Sequence, residues 1–222
     1  MDVLAFILML AALLMFAFSA SGRELRHFNE IALGLDRPLS SIPRMGRALV
    51  IVDIQRDYFP GGKMPLHDPE AAAAKAGDVL AAFREAGDPI IHVQHQAAAG
   101  APFLEEGTPG AEIMPAVEPR ADETVIQKRA PNAFLGTELE QCLRDHEADE
   151  VVVVGMMTSM CVDAPTRAGA DLGLTMTVVP DACAAPGLSH GGRDVSAQDV
   201  HAAFIAALGQ GYASIVPAAE VA

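Results

Sequence analysis

From residue 45 onward the chain alternates between two hydrophobic rhythms. Continuous apolar, β-branched runs occur at Ala48–Ile54, Pro89–His95, Glu150–Gly155 and Leu174–Pro180, with a shorter one at Glu123–Gln127 and a last one at Ala213–Val216. Runs without in/out alternation are what strands covered on both faces look like. Helical stretches lie between them. Pro69–Ala86 is alanine-rich and stops at Gly87, a residue suited to a left-handed C-cap. Thr137 and Glu140 have capping-box spacing and predict a helix to about His146. Two further helices are predicted, Cys161–Leu172 ending at Gly173 and Ser196–Leu208 ending at Gly209. Strands alternating with helices predict right-handed crossovers and a three-layer α/β fold, a mainly parallel sheet of about six strands with helices on both faces. The stretch Gln96–Asp122, with three Gly and four Pro, reads as loop with a short helix. In open α/β sheets such loops, at the carboxyl ends of strands, build the site.

The front of the chain is different. Residues 3–18 (VLAFILMLAALLMFAF) are unbroken apolar sequence. Sixteen residues exceed a usual signal-peptide core and fall short of the roughly 20 that span a bilayer. The stretch before them holds Asp2 and no Lys or Arg, whereas Arg23, Arg26, Arg37 and Arg44 follow. If the segment inserts, those arginines keep the rest of the chain in the cytoplasm. The alternative is an upstream extension, since Met45 opens MGRALVIVDIQ as a natural start would. Either reading divides the chain into residues 1–44, an apolar segment plus spacer, and a domain at 45–222.

Charge narrows the partners. Formal charge is −14, and residues 45–222 carry 11 basic against 25 acidic side chains. A nucleic-acid binder needs a basic face to displace counterions, so none is expected here. The three cysteines, Cys142, Cys161 and Cys183, have no CxxC spacing and are too few for a disulfide scaffold or zinc ribbon.

Three residues stand where strand ends should converge: Asp53 in IVDIQRDYF, Lys128 in VIQKRAPNAF and Cys161 in VVVVGMMTSMCVDAPTRAG. A strand, a tight turn and then a cysteine at a helix N-terminus presents a nucleophile above a sheet. The helix dipole there is expected to favour the thiolate. Cys142 and Cys183 lack that setting and read as small buried apolar residues. A carboxylate ending an apolar run is costly unless paired or functional. An Asp53–Lys128 ion pair joining two strands is one reading. The other makes Asp53 the base for Cys161 and Lys128 the cation that keeps Asp53 ionised.

The stretches ALVIVDIQRDYF, VIQKRAPNAF and VVVVGMMTSMCVDAPTRAGADLG, in that order, resemble the signatures of the isochorismatase-like cysteine hydrolases, a superfamily that includes nicotinamidases, carbamoylsarcosine amidohydrolases and isochorismatases. The resemblance runs from about Arg47 to Val216. It implies Asp53, Lys128 and Cys161 as a catalytic triad. It also implies a cis peptide between Met156 and Met157, and the backbone N–H groups of Met157 and Cys161 as oxyanion donors. Tyr58, His95 and Phe134 are the implied pocket residues, and homo-oligomers are common in the family.

Metal-containing nicotinamidases carry an Asp-x-His motif just after the second strand. Here that region reads IIHVQHQAAAGAPF: His95 falls near the Asp position, and Gln96 and Ala97 supply no matching His. His92 and His95, three apart on a strand, face opposite ways and cannot share one ion. No metal and no cofactor are therefore expected. His201 reads as a structural helix residue and His190 as part of a Gly-rich loop. Phe103, Glu105 and Glu106 lie in the long loop, where a lid or a partner subunit would close the site.

The expected function is hydrolysis of a C–N bond in a small amide, ureide or lactam through a thioester. The alternatives are vinyl-ether hydrolysis of the isochorismate type and a non-catalytic, membrane-tethered scaffold. The expected partners are a small-molecule substrate, further copies of the chain, and a membrane only through residues 3–18.

Overall fold

The computed structural model describes residues 46–221. The apolar segment at 3–18, its spacer and the boundary at residue 45 lie outside the described residues. Among the described residues no helix is long and apolar enough to cross a membrane.

Six strands make one parallel sheet. They are β1 (Gly46–Val52), β2 (Ile90–His95), β3 (Thr124–Lys128), β4 (Ala148–Met156), β5 (Thr175–Ala184) and β8 (Ser214–Ile215), in the order β3-β2-β1-β4-β5-β8. Strands β6 (Leu188–His190) and β7 (Arg193–Val195) form a separate antiparallel hairpin. The helices are α1 (Pro69–Ala86), α2 (Leu139–Asp145), α3 (Asp163–Asp171), α4 (Ala197–Gly209) and the short α5 (Ala218–Val221).

Period-two alternation along each strand divides the interior into two layers. Leu49 and Ile51 of β1, with Val152, Val154 and Met156 of β4, pack against Ala72, Ala76, Val79, Leu80 and Phe83 of α1. Their neighbours Ala48, Val50, Val52, Val151 and Val153 face the other way, onto Leu139 and Leu143 of α2 and Leu208 of α4. Because both faces are buried, these strands show no alternation of polarity in the sequence.

Four expectations are refined. β5 continues past Pro180 to Ala184, because a bulge in the β4–β5 ladder moves the pairing from Val153↔Val178 to Gly155↔Cys183. The predicted helix from Cys161 begins instead as a π-helical turn, Thr158–Val162, and becomes α-helical at Asp163. The capping box does not form: the helix starts one residue later than the spacing predicts, with Glu138 at its N-cap and no side-chain cap, while Thr137 Oγ1 accepts from the Leu139 N–H at 3.2 Å from outside the helix and Glu140 pairs with Arg144. The Gly-rich loop around His190 is the β6–β7 hairpin, turned by Gly191 and Gly192 at φ 58° and 76°. In α4, Ser196 Oγ accepts from the Asp199 N–H at 3.1 Å as an N-cap.

Candidate active site

The carboxyl ends of four adjacent strands supply the site. Asp53 follows β1, His95 ends β2, Lys128 ends β3 and pairs in register with His95, and Cys161 lies in the turn after β4. Asp53 turns away from the strand at φ 50°, a left-handed conformation that a non-glycine residue adopts only where its surroundings hold it. Next to it Gly155, at φ 138°, lets β4 pass β1. A Cβ there would stand 2.0 Å from the Val52 carbonyl oxygen.

Lys128 is 1% exposed, and its ammonium has three potential acceptor atoms around it. Nζ lies 2.7 Å from Asp53 Oδ2, 3.2 Å from His95 Nδ1 and 3.0 Å from the Ala130 carbonyl. A buried ammonium with three donors needs that full set. Since Nδ1 of His95 accepts, its ring proton sits on Nε2. Burial, then the charges of Lys128 and Arg129, push the His95 imidazole down to about 4, so it is neutral at physiological pH.

Asp53 is fully buried, and one ligand-type atom from each of Asp53, His95 and Cys161 lies within 4.8 Å of the others. Burial pushes the Asp53 carboxyl up, with Lys128 pulling the other way. Burial, reinforced by the Asp53 charge, pushes the Cys161 thiol up to about 12. The dipole-favoured thiolate expected from the sequence is thus overridden: at 4% exposure, desolvation and a neighbouring carboxylate outweigh the turn. The resting pair is a thiol beside a carboxylate whose proton affinity has been raised.

Asp53, His95 and Cys161 form, among the described residues, a cluster of metal-ligand type. It does not fit a cation. The Lys128 ammonium already occupies both Asp53 Oδ2 and His95 Nδ1, and a second positive charge there would meet it at contact distance. His92 points elsewhere, its Nε2 2.8 Å from Glu123 Oε2, in a network with Arg84.

The Met156–Met157 peptide is cis, and Thr158 to Val162 wind tightly from it, the Met160 and Val162 amides both donating to the Met157 carbonyl at 3.0 and 3.2 Å. Tyr58 is buried beside Phe103, ring centroids 6.1 Å apart. Burial above all pushes its phenol up, so it stays protonated. Phe134 packs beside Gly169 of α3 and Met176 in the second core layer. Glu105 and Glu106 tie the long loop down, Glu105 to the Gly100 amide and Glu106 to Arg129.

Two buried polar residues that the sequence reading passed over hold this arrangement. Gln55 clasps the end of β2: its Oε1 accepts from the His95 N–H at 2.8 Å, and its Nε2 donates to the His95 and Ala111 carbonyls at 2.9 and 2.7 Å. Asp57 accepts from the Leu104 N–H at 2.6 Å and the Lys63 N–H at 3.1 Å, which anchors the long loop beside Tyr58. Both stand in the IVDIQRDYF block, where polar residues directly after a buried strand were the available signal.

A sequence profile of the Isochorismatase domain matches residues 47–219. The chain belongs to the isochorismatase family. This isochorismatase-family hydrolase is 45% identical over 172 residues to an uncharacterized isochorismatase family protein, YddQ, of Bacillus subtilis, covering 77% of this chain and 96% of that one. A crystal structure of a putative isochorismatase hydrolase from Oleispira antarctica superposes with a TM-score of 0.78 at 42% identity, over 80% of this chain and 96% of the other. A maleamate amidohydrolase of Pseudomonas putida is 34% identical over 133 residues, 53% of this chain and 62% of that protein.

Proposed function

We propose that this isochorismatase-family hydrolase cleaves the C–N bond of a small amide, ureide or lactam, with Asp53, Lys128 and Cys161 as its catalytic triad. The observation that carries the reading is the Lys128 ammonium, 2.7 Å from a fully buried Asp53 that adjoins the Cys161 thiol. The family resemblance of the three motifs, and an amidohydrolase among the relatives, support it.

The steps follow from proton affinities. Asp53 takes the thiol proton as Sγ bonds to the carbonyl carbon, and the carbonyl π electrons move to oxygen. The Met157 and Cys161 N–H groups receive that oxyanion. Its collapse breaks the C–N bond, and the nitrogen leaves with the proton from Asp53. Asp53 then takes a proton from water, whose oxygen attacks the thioester and frees the acid. The proton returns to sulfur. Lys128 neither gives nor receives a proton. Its charge keeps Asp53 an anion before attack and offsets the negative charge that moves onto sulfur and oxygen. Vinyl-ether hydrolysis proceeds by protonation and has no use for the thiol.

The test is amine or ammonia release from a panel of small amides, ureides and lactams, comparing wild type with Cys161→Ala, each with and without chelator. Turnover that disappears in the variant and survives chelator is expected. A variant as active as wild type on every turned-over compound would refute the triad.

A further inference from the structure

The turn that carries Cys161 is held from the side by a residue the mechanism does not use. Thr158, the first residue of the turn, is fully buried, and its Oγ1 lies 3.1 Å from the Ala184 carbonyl of β5 and 3.0 Å from Nδ1 of His201 on α4. A hydroxyl has one proton, and a carbonyl can only accept. The Thr158 proton therefore goes to Ala184, and the second contact exists only if His201 Nδ1–H donates. This fixes the tautomer of His201 and leaves Nε2 without a proton. Burial pushes His201 down, so the neutral ring is the resting form. His201 also lines a cavity of about 250 Å³ with His67, Gln198 and Cys183, so its outer edge meets open space. The bond to Thr158 thus anchors the ring.

We propose that His201 is a positioning residue: its Nδ1–H clamps Thr158, and through Thr158 it fixes the Met157–Cys161 turn in its reactive geometry. Met157 directly precedes Thr158, and Cys161 follows three residues later. A side chain locked from β5 on one side and α4 on the other sets where both the amide and the sulfur sit. The inference rests on the proposed role of Cys161. It does not require His201 to titrate, because protonation at Nε2 leaves the Nδ1 donor in place.

Asparagine carries an N–H near the position of His Nδ1, glutamine carries one near Nε2, and phenylalanine keeps the ring without a donor. The full chain would be compared as wild type, His201→Asn, His201→Gln and His201→Phe. Amide hydrogen exchange over residues 156–163, read by mass spectrometry, reports the turn without reference to turnover. His201→Phe and His201→Gln should exchange faster there, while β1 and α1 remain as in wild type, and His201→Asn should stay close to wild type. On any compound the wild type turns over, kcat should fall about 10- to 100-fold in the first two variants with KM within about twofold, the loss expected for a misplaced reacting group. Unchanged exchange in His201→Phe, or His201→Asn as perturbed as His201→Phe, would overturn the proposal. Faster exchange in His201→Phe together with a fully active Cys161→Ala would keep the clamp and remove the triad.

Discussion

Lys128→Met removes the cation beneath the site while keeping most of the side chain's volume. Asp53 would then be a fully buried carboxylate without its partner at 2.7 Å. Breaking a buried pair from one side costs about 3–5 kcal/mol, most of it the penalty on the charge left behind. For a domain of this size each kcal/mol moves the melting temperature about 2–4 °C, so a fall of roughly 6–20 °C is expected at pH 8. The loss depends on pH in a defined direction. Without Lys128 the folded-state proton affinity of Asp53, already above the ordinary 3.8, rises further. A carboxyl with a raised folded-state value binds more protons folded than unfolded, so the variant loses stability as pH climbs through that value and recovers it on acidification. The gap between wild type and variant should therefore be widest at pH 8 and narrower at pH 5. The assay is thermal and urea unfolding of both proteins at the two pH values. The double variant Asp53→Asn/Lys128→Met should recover part of the loss, as coupled neighbours do. A gap below about 1 kcal/mol, or one independent of pH, would mean that the pair behaves like an exposed one, which is worth only about 0–1 kcal/mol, and would refute the reasoning.

Three further outcomes are expected. Asp53 must be ionised to act as base, and burial raises its proton affinity, so kcat/KM should fall on acidification with a midpoint above 3.8. An acid limb at or below that value would contradict the assignment. Asp53→Asn should lower turnover about 10²- to 10⁴-fold and slow alkylation of Cys161; an unchanged alkylation rate would separate the carboxylate from the thiol. Gly155→Ala places a Cβ 2.0 Å from the Val52 oxygen at φ 138° and should cost roughly 3 kcal/mol or more, whereas Gly87→Ala, in open space at φ 71°, should cost about 1 kcal/mol. Equal costs in urea unfolding would show that the β1–β4 crossing relaxes.

The sheet was legible because its central strands are buried on both faces, which imprints uniform β-branched runs on positions 48–54 and 150–155. α1 was read to the residue because Pro69 and Gly87 punctuate it. The apolar run of β5 ends at Pro180 although the strand goes on, because the bulge that realigns Gly155 with Cys183 leaves no local mark on β5 itself. In the site, Asp53, Lys128 and Cys161 stood out as chemical residues at the ends of apolar runs. Gln55, Asp57 and Thr158 did not. Their roles are bonds to backbone groups up to 56 positions away, a fact about topology that a linear reading cannot hold. The state of Cys161 escapes the sequence for a related reason: a turn's dipole is local and readable, whereas burial at 4% exposure is set by the whole fold.

The attachment of residues 97–112 has a bearing on how such a protein diversifies. Groups of reactive type come from strand ends and the turn after β4, while the segment beside Tyr58 is held by side chains of other elements: the buried Asp57 carboxylate, the amides of Gln55 and Gln94, and surface pairs such as Arg129–Glu106. Gly110 sits so close to Asp57 that a side chain there would strike the carboxylate at 2.3–2.4 Å, so the anchor is sterically keyed. These hooks and the keyed contact make this segment a cassette. Residues between the hooks can be exchanged, lengthened or recoloured in charge while the hooks are kept, so the surroundings of Tyr58 can change without disturbing Asp53, Lys128 or Cys161.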